Sequence, residues 1–193
     1  KTIYYIVNDQ TVRPYKLMKH ILGNDPALDQ EIYLEKDSTF TLNLSTSKDN
    51  RYIFIYSSST TTTEARYLDA NNTLAPAVLI HARQRDLLYY PNYVEGNNFV
   101  IYNNHQAKNF KLSQAPIADP GITNWTDIIP HQDSALLENV EILQKYIVAQ
   151  HKVKGLNKIT VINRIDNSSY QVPFTEEAYV ANMDLPTDEF TSD

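Results

Sequence analysis

The stretch Tyr52–Ala70, YIFIYSSSTTTTEARYLDA, decides the fold. It begins with the apolar run Tyr52–Tyr56, continues through a Ser/Thr tract, and resumes at Ala65–Leu68 before an Asp/Asn-rich segment. Aromatic and β-branched residues suit a packed, pleated surface, whereas Asp and Asn favour the turn that ends a strand. The stretch therefore predicts two β-strands joined by a turn.

The same strand pair recurs along the chain at a nearly constant interval. Strand-like segments start at residues 3, 52, 99 and 146, at intervals of 49, 47 and 47 residues, and a second segment follows each one after 11 to 13 residues. Two further segments complete each repeat. The second segments are Tyr15–Met18, Ala65–Leu68, Phe110–Leu112 and Ile159–Ile162; the third are Glu31–Leu34, Ala77–Ile80, Trp125–Ile129 and Tyr170–Phe174; the fourth are Phe40–Leu44, Leu87–Tyr90, Leu136–Val140 and Tyr179–Ala181.

A repeat of four short strands in about 47 residues is typical of a β-propeller blade. The sequence thus predicts an all-β propeller fragment of about four blades, with three whole units and partial units at both ends. The units are expected at approximately 1–36, 37–83, 84–132 and 133–175, with the start of the next unit at 176–193. An arc of blades exposes two apolar faces, so homo-oligomers are an expectation.

The segment Asp133–Gly155 also carries a helical pattern. Leu136, Val140, Leu143 and Ile147 have the spacing of one helix face, and Gly155 could end such a helix. The same window falls in phase with two strands of every other repeat. We therefore predict strands here.

Composition and charge narrow the class of protein. The 14 tyrosines and 6 phenylalanines against 4 glycines and 2 methionines indicate a β-rich chain. The net charge of −6, without a basic cluster, argues against nucleic acid as a partner. The absence of cysteine favours a reducing compartment, and we expect a cytoplasmic protein. The sequence shows no membrane segment and no signal peptide, and it resembles a chain cut from a longer one.

Motifs for catalysis, cofactors or metals are missing from the sequence. None of the four glycines forms a Gly-x-Ser-x-Gly or a Gly-x-Gly-x-x-Gly motif. The histidines are too widely separated for one local metal motif; they are His20, His81, His105, His131 and His151. We therefore predict no catalytic, cofactor-binding or metal-binding residue and no cofactor.

Three polar features remain as candidates, each with an alternative interpretation. The segment His81–Asp86 contains Arg83 and Arg85 between two predicted blades, where it is either a solvated turn with a salt bridge to Asp86 or an interface with another domain. The Ser57–Thr63 tract either satisfies the backbone of a wide hairpin loop or carries a modification. The sequons Asn71–Thr73 and Asn167–Ser169 are interpreted as coincidences.

Ordered matches along the chain resemble the propeller of oligopeptidase B, or protease II, in the prolyl oligopeptidase family. They are Ile3–Tyr5, Arg13–His20, Ile32–Asp37, Ser58–Ala70, Asn104–Phe110 and Trp125–His131. The resemblance covers essentially the whole chain, and none of its motifs is catalytic.

The resemblance implies a two-domain serine peptidase. In that family a seven-bladed propeller caps an α/β-hydrolase domain whose Ser-Asp-His triad cleaves short peptides, after Arg or Lys in the oligopeptidase B branch. The hydrolase domain is absent here, so the expected partners are that domain and short peptides, and the expected role is a size filter and gate. A prolyl endopeptidase propeller and a non-enzymatic propeller that binds a ligand or protein remain alternatives.

Overall fold

The computed structural model describes residues 1–183, which form four antiparallel sheets and two short 3-10 helices, Pro26–Leu28 and Ile122–Asn124. In every sheet each strand pairs with its neighbour in sequence. The first sheet has three strands, β1 (Thr2–Asn8), β2 (Pro14–Ile21) and β3 (Gln30–Leu34). The second contains β4 (Thr41–Thr46), β5 (Tyr52–Ser58), β6 (Thr63–Asp69) and β7 (Val78–His81). The third contains β8 (Tyr89–Asn92), β9 (Asn98–Asn103), β10 (Lys111–Pro116) and β11 (Thr126–Ile129), and the fourth β12 (Leu136–Ile142), β13 (Tyr146–Val153), β14 (Leu156–Asn163) and β15 (Ser169–Gln171).

These sheets confirm the predicted all-β, four-stranded repeat. The segment Asp133–Gly155 forms β12 and β13, because β13 pairs along its whole length with β14 and also with β12. The helical spacing in this segment was therefore coincidental. The strand predicted at Tyr179–Ala181 is wrong, since this segment has no ladder partner among the described residues. The remainder of the expected partial unit, 184–193, lies outside the described residues.

Side-chain hydrogen bonds hold the segment after β15 instead. The Asn157 side-chain amide donates to the Ala181 carbonyl (2.7 Å), and the Tyr179 hydroxyl donates to the Asn157 carbonyl (2.9 Å). The Met183 N–H donates to Gln150 Oε1 (3.0 Å). This segment is thus attached to β13 and β14 without joining their ladder.

The chain divides into two compact units, 1–91 and 92–193. The core of the first unit comes from alternating apolar residues on strands of its two sheets, since successive side chains of a strand point to opposite faces. Its fully buried members are Leu17, Leu42, Ile55 and Leu68. Burying each of these side chains contributes about 2 kcal/mol.

The second unit has a larger core of the same kind. Its buried members are Val94, Val100, Leu112, Ile129, Leu137, Ile142, Ile147 and Ala149. Tyr102 and Phe110 pack against this core as a stacked pair with ring centroids 4.7 Å apart.

One tyrosine contact repeats with the period of the sequence. The Tyr56 hydroxyl on β5 donates to the carbonyl of Pro91 on β8 (2.7 Å), and the Tyr102 hydroxyl on β9 donates to the carbonyl of Leu137 on β12 (2.6 Å). Both donors and both acceptors are 46 residues apart. The repeat therefore includes a bond from the second strand of one sheet to the first strand of the next.

Helices that could cross a membrane are not found in residues 1–183, where none is long and apolar enough.

Candidate functional site

Four connections of the first unit lie at the same end of its strands, because neighbouring antiparallel strands alternate in direction. They are 9–13 between β1 and β2, 35–40 between β3 and β4, 59–62 between β5 and β6, and 82–88 between β7 and β8. We call this the network end. Most polar side chains of these connections are exposed, but Glu35 and Thr62 are buried, as are Ser57, Thr63 and Glu64 on the adjoining strands.

Glu35 follows β3 directly and is only 3% exposed. Its Oε2 accepts hydrogen bonds from Arg83 Nη2 (2.6 Å) and from the Ser57 hydroxyl. Its Oε1 accepts the N–H of Asp37 (2.8 Å), and the Tyr33 hydroxyl donates to Oε2 at 3.2 Å. This carboxylate therefore ties the first sheet to a strand and a loop of the second.

Glu64 near the start of β6 is the second buried carboxylate, at 6% exposure. Its Oε1 accepts from Arg66 Nη1 (2.5 Å), and its Oε2 accepts the backbone N–H of Arg83 (2.9 Å). Arg83 Nη2 lies 3.5 Å from Glu64 Oε1. One guanidinium is thus shared between two carboxylates that belong to different sheets.

Aromatic rings cover both arginines. The Arg83 guanidinium lies 4.0 Å from the ring centroid of Phe40, and that of Arg66 lies 4.3 Å from the ring centroid of Tyr33. Cations at these distances are attracted to the face of an aromatic ring. We call Glu35, Glu64, Arg66 and Arg83, with these rings and Ser57, the Arg83 network.

The two carboxylates keep their charge despite burial. Burial raises the pKa of Glu35, but hydrogen bonds from Arg83 and Ser57 outweigh it and hold the pKa below its ordinary value. Burial likewise raises the pKa of Glu64, and the hydrogen bonds from the Arg83 backbone and from Arg66 lower it further than burial raises it. At neutral pH the network therefore holds two negative and two positive charges.

The structure separates the two arginines that the sequence placed together. Arg85 is 95% exposed and lies 3.6 Å from Asp86, as the solvated-turn interpretation of this segment predicts. Arg83 is only 29% exposed and belongs to the buried network. Sequence reasoning missed Glu35 and Glu64. The sequence pattern that could have identified them is a glutamate at the end of a strand, next to apolar or hydroxyl-bearing residues, as in Tyr33–Glu35 and Thr62–Glu64.

The Ser57–Thr63 tract supports this end of the unit. Ser57 and Thr63 lie within strands, and the Ser59 N–H donates to the Thr62 carbonyl (2.8 Å), so the hairpin loop is tight and the wide loop expected from the sequence is wrong. The Thr62 hydroxyl accepts the N–H of Asp86 (3.1 Å). The hydroxyls of Ser59 and Thr62 thus satisfy backbone groups, as the structural interpretation of the tract predicts, whereas that of Ser57 donates to Glu35.

Two of the histidines, His20 and His105, have partners of their own outside the Arg83 network. His20 Nδ1 lies 2.6 Å from Asp29 Oδ1, and His105 packs edge-on against Trp125. In the described part of the chain, no group of three or more His, Asp or Glu side chains is arranged to hold a metal ion.

Comparisons with known proteins identify the fold and the family. The family described as "Prolyl oligopeptidase, N-terminal beta-propeller domain" matches residues 1–190. "Protease 2" of Moraxella lacunata is 31% identical over 177 residues, which are 92% of this chain and 25% of that protein. "Dipeptidyl aminopeptidase BI" of Pseudoxanthomonas mexicana is 30% identical over 194 residues, covering 97% of this chain and 26% of that protein.

Solved structures show the same fold. Oligopeptidase B from Trypanosoma brucei, in a closed form with covalently bound antipain, superposes with a TM-score of 0.86 and 21% identity, covering 99% of this chain and 28% of that one. Oligopeptidase B from Leishmania major gives a TM-score of 0.83 at 22% identity, covering 93% and 26%. The chain spans about a quarter of the length of the curated relatives it matches. It belongs to the prolyl oligopeptidase N-terminal β-propeller family, and its four sheets are blades of that propeller.

Proposed function

We propose that this chain is the substrate-gating propeller portion of a serine oligopeptidase that hydrolyses short peptides after Arg or Lys. The observation that carries the proposal is the family match over residues 1–190, combined with relatives about four times as long. The catalytic serine, aspartate and histidine would lie on a hydrolase domain of the same polypeptide. No catalytic, cofactor-binding or metal-binding role is assigned to residues 1–193.

The names of the relatives support a peptidase with moving domains. One is called "Protease 2", and a solved neighbour is an oligopeptidase B in a "closed form". Another solved neighbour, at a TM-score of 0.73, comes from work on two prolyl endopeptidases that describes a role of inter-domain dynamics in catalysis and specificity. Domain closure admits and then sequesters substrate in many enzymes. A propeller that covers an active site would act in this way and would exclude large substrates by size.

The distribution of charge supports a preference for basic peptides. Residues 176–193 contain six acidic and no basic residues, whereas residues 1–175 contain 17 of each. The whole net charge of −6 therefore belongs to the last 18 residues. A concentrated negative charge attracts cationic peptides over long range, and added salt weakens that attraction.

The test is an assay of the full-length protein on short peptides that differ only in the residue before the cleaved bond. We expect kcat/KM for Arg and Lys peptides to exceed that for Pro peptides by about 100-fold or more, since a charged side chain that meets a built partner is strongly discriminated. Labelling by a serine-directed fluorophosphonate is expected as well. Preferential cleavage after Pro would overturn the specificity, and no cleavage with no labelling would overturn the peptidase proposal.

A dipeptidyl aminopeptidase is the second candidate function. It is favoured by the 30% identity to a protein of that name over 97% of this chain. Such an enzyme releases dipeptides from a free N-terminus. N-acetylated and free peptides of the same sequence distinguish the two, because N-acetylation abolishes cleavage only for the aminopeptidase.

The expected blade boundaries, the homo-oligomer and the cytoplasmic location remain predictions. Sedimentation of the full-length protein and cell fractionation test the latter two.

A further inference from the structure

The charged groups of the Arg83 network lose hydration free energy when they leave water, so the network is an inefficient way to stabilise the fold. Replacing a buried ion pair by well-packed apolar residues of similar volume is often neutral or stabilising, because two ions must leave water. Removing one partner of such a pair is strongly destabilising, since the other charge remains buried and unpaired. The network is therefore better suited to fixing positions than to adding stability.

The positions it fixes are those of three of the four connections at the network end. The fourth, 9–13, is tied to 35–40 by Arg13, whose Nη1 donates to the carbonyls of Asp37 (3.1 Å) and Phe40 (2.9 Å). Arg83 lies at the start of the 82–88 connection, and its guanidinium bonds to Glu35 and stacks on Phe40 in the 35–40 connection. Its backbone N–H and Nη2 reach Glu64, beside the 59–62 hairpin.

Two further bonds link the hairpin to the 82–88 connection. The Thr62 hydroxyl accepts the Asp86 N–H (3.1 Å), and the Thr63 N–H donates to the Leu87 carbonyl (2.9 Å). The three connections thus form one cross-linked body with Arg83 at its centre.

The opposite end of the second sheet is built differently. Its turns close mainly through bonds between near neighbours in sequence, such as Asn50 N–H to the Ser47 carbonyl and Asn72 N–H to the Asp69 carbonyl. Lys19 Nζ makes one bond from the first sheet, to the Thr73 carbonyl, while Leu74 next to it is 90% exposed. The two ends therefore differ in how they are cross-linked: several charged side chains join the connections at the network end, whereas the buried Lys19 makes the bond from the first sheet to the opposite end.

We infer that Arg83 is a positioning residue, which holds the 35–40, 59–62 and 82–88 connections as one rigid rim, and that this rim sets the largest peptide the gate admits. The inference rests on the proposed function for its second half. Exclusion by size requires loops that do not yield when a larger substrate presses on them. The side-chain cross-links between connections at the network end are the feature that would supply this resistance.

The experiment compares Arg83→Met, Arg83→Lys and Arg85→Met in the full-length protein. Arg85→Met is the matched control, since it makes the same chemical change at a solvent-exposed guanidinium two residues away. Arg83→Lys keeps the charge but lacks the planar fork that serves two carboxylates, so it retains only part of the network. It also serves as the test should Arg83→Met fail to fold.

The first readout is hydrogen exchange of the Asp37 and Asp86 amides, whose acceptors are Glu35 and Thr62. We expect Arg83→Met to accelerate their exchange by about 10- to 100-fold, the loss of one or two charge-assisted bonds. In Arg83→Lys, we expect these amides to exchange at rates between those of the wild type and Arg83→Met. In Arg85→Met, we expect the wild-type rates. Unchanged exchange in a folded Arg83 variant overturns the rigid rim.

The second readout is kcat and KM for a series of peptides of increasing length. We expect Arg83→Met to leave kcat for the shortest peptide unchanged and to raise kcat/KM severalfold for peptides that the wild type excludes. Faster exchange with an unchanged length limit overturns the link between rim and gate. If the wild-type protein cleaves no peptide, the proposed function is refuted, and so is the inference that the rim sets the size limit. The hydrogen-exchange measurement still tests whether Arg83 holds the rim rigid.

Discussion

Tyr89→Phe removes a hydroxyl that hydrogen-bonds two backbone groups at a β-bulge in the second sheet. The pairing of β6 with β7 shifts register, so that Ala65 pairs with His81 and Arg66 with Leu79, and Ile80 is the extra residue. Tyr89 enters from β8 and is fully buried. Its hydroxyl accepts the Ala65 N–H (2.7 Å) and donates to the His81 carbonyl. It thereby satisfies the two backbone groups that the bulge leaves outside the ladder.

The size of the stability loss follows from the backbone groups that the substitution leaves without a partner. Phenylalanine keeps the ring and its packing but leaves a buried N–H and a carbonyl without their partner. Each unpaired buried group costs about 1–3 kcal/mol, so we expect a loss of about 3 kcal/mol in the free energy of unfolding of the first unit. Since about 1.4 kcal/mol is a factor of ten, the Ala65 amide should exchange roughly 100-fold faster.

Urea unfolding and hydrogen exchange of the Ala65 amide measure this effect. Tyr170→Phe is the control, because Tyr170 on β15 is 61% exposed and a surface substitution of this kind changes stability by about 0.5 kcal/mol at most. If Tyr89→Phe costs no more than the control and the Ala65 amide stays protected, the bulge does not depend on this hydroxyl and the reasoning is refuted.

Three further predictions concern pH. The pKa values of Glu35 and Glu64 are lowered in the folded state, so the stability that these carboxylates contribute is complete above about pH 4.5 and is lost as the pH falls through their folded-state pKa values. When the urea midpoint is measured as a function of pH, Glu64→Gln should therefore show a smaller decrease at acidic pH than the wild type. Burial raises the pKa of Tyr56 to about 12, so stability is lost between about pH 10 and 12, and Tyr56→Phe should remove this loss; a difference ultraviolet titration, wild type minus Tyr56→Phe, in which the missing tyrosine ionises near pH 10 would contradict it. Burial lowers the pKa of His151, so stability should decline below about pH 6.5, and an NMR titration with its midpoint at or above 6.5 would contradict this.

Much of the fold was predictable because strand patterns are local. The alternation of side chains and the chemistry of turns repeat every 46 to 49 residues, and that period correctly predicted strands at Leu136–Val140 and Tyr146–Ala149, within β12 and β13, against a helical pattern. The strand predicted at Tyr179–Ala181 failed for a non-local reason. A strand exists only with a ladder partner, and none lies within the described residues.

The candidate site was predicted only in part. The sequence singled out Arg83 and Arg85 as equivalent, although one is 29% exposed and bonded to two buried carboxylates and the other is 95% exposed. Arg83 meets Glu35 across 48 residues of sequence, and no local pattern encodes that distance. The register shift that places Tyr89 against Ala65 is equally invisible in the sequence.

By itself, then, the sequence determined the all-β class, the four-stranded repeat and the family resemblance, because each depends on local patterning or on ordered matches. Only the tertiary structure decided which polar side chains are buried together. Burial of a charge depends on whether partners from other strands arrive to compensate its lost hydration, and that arrival is a property of the packed sheets.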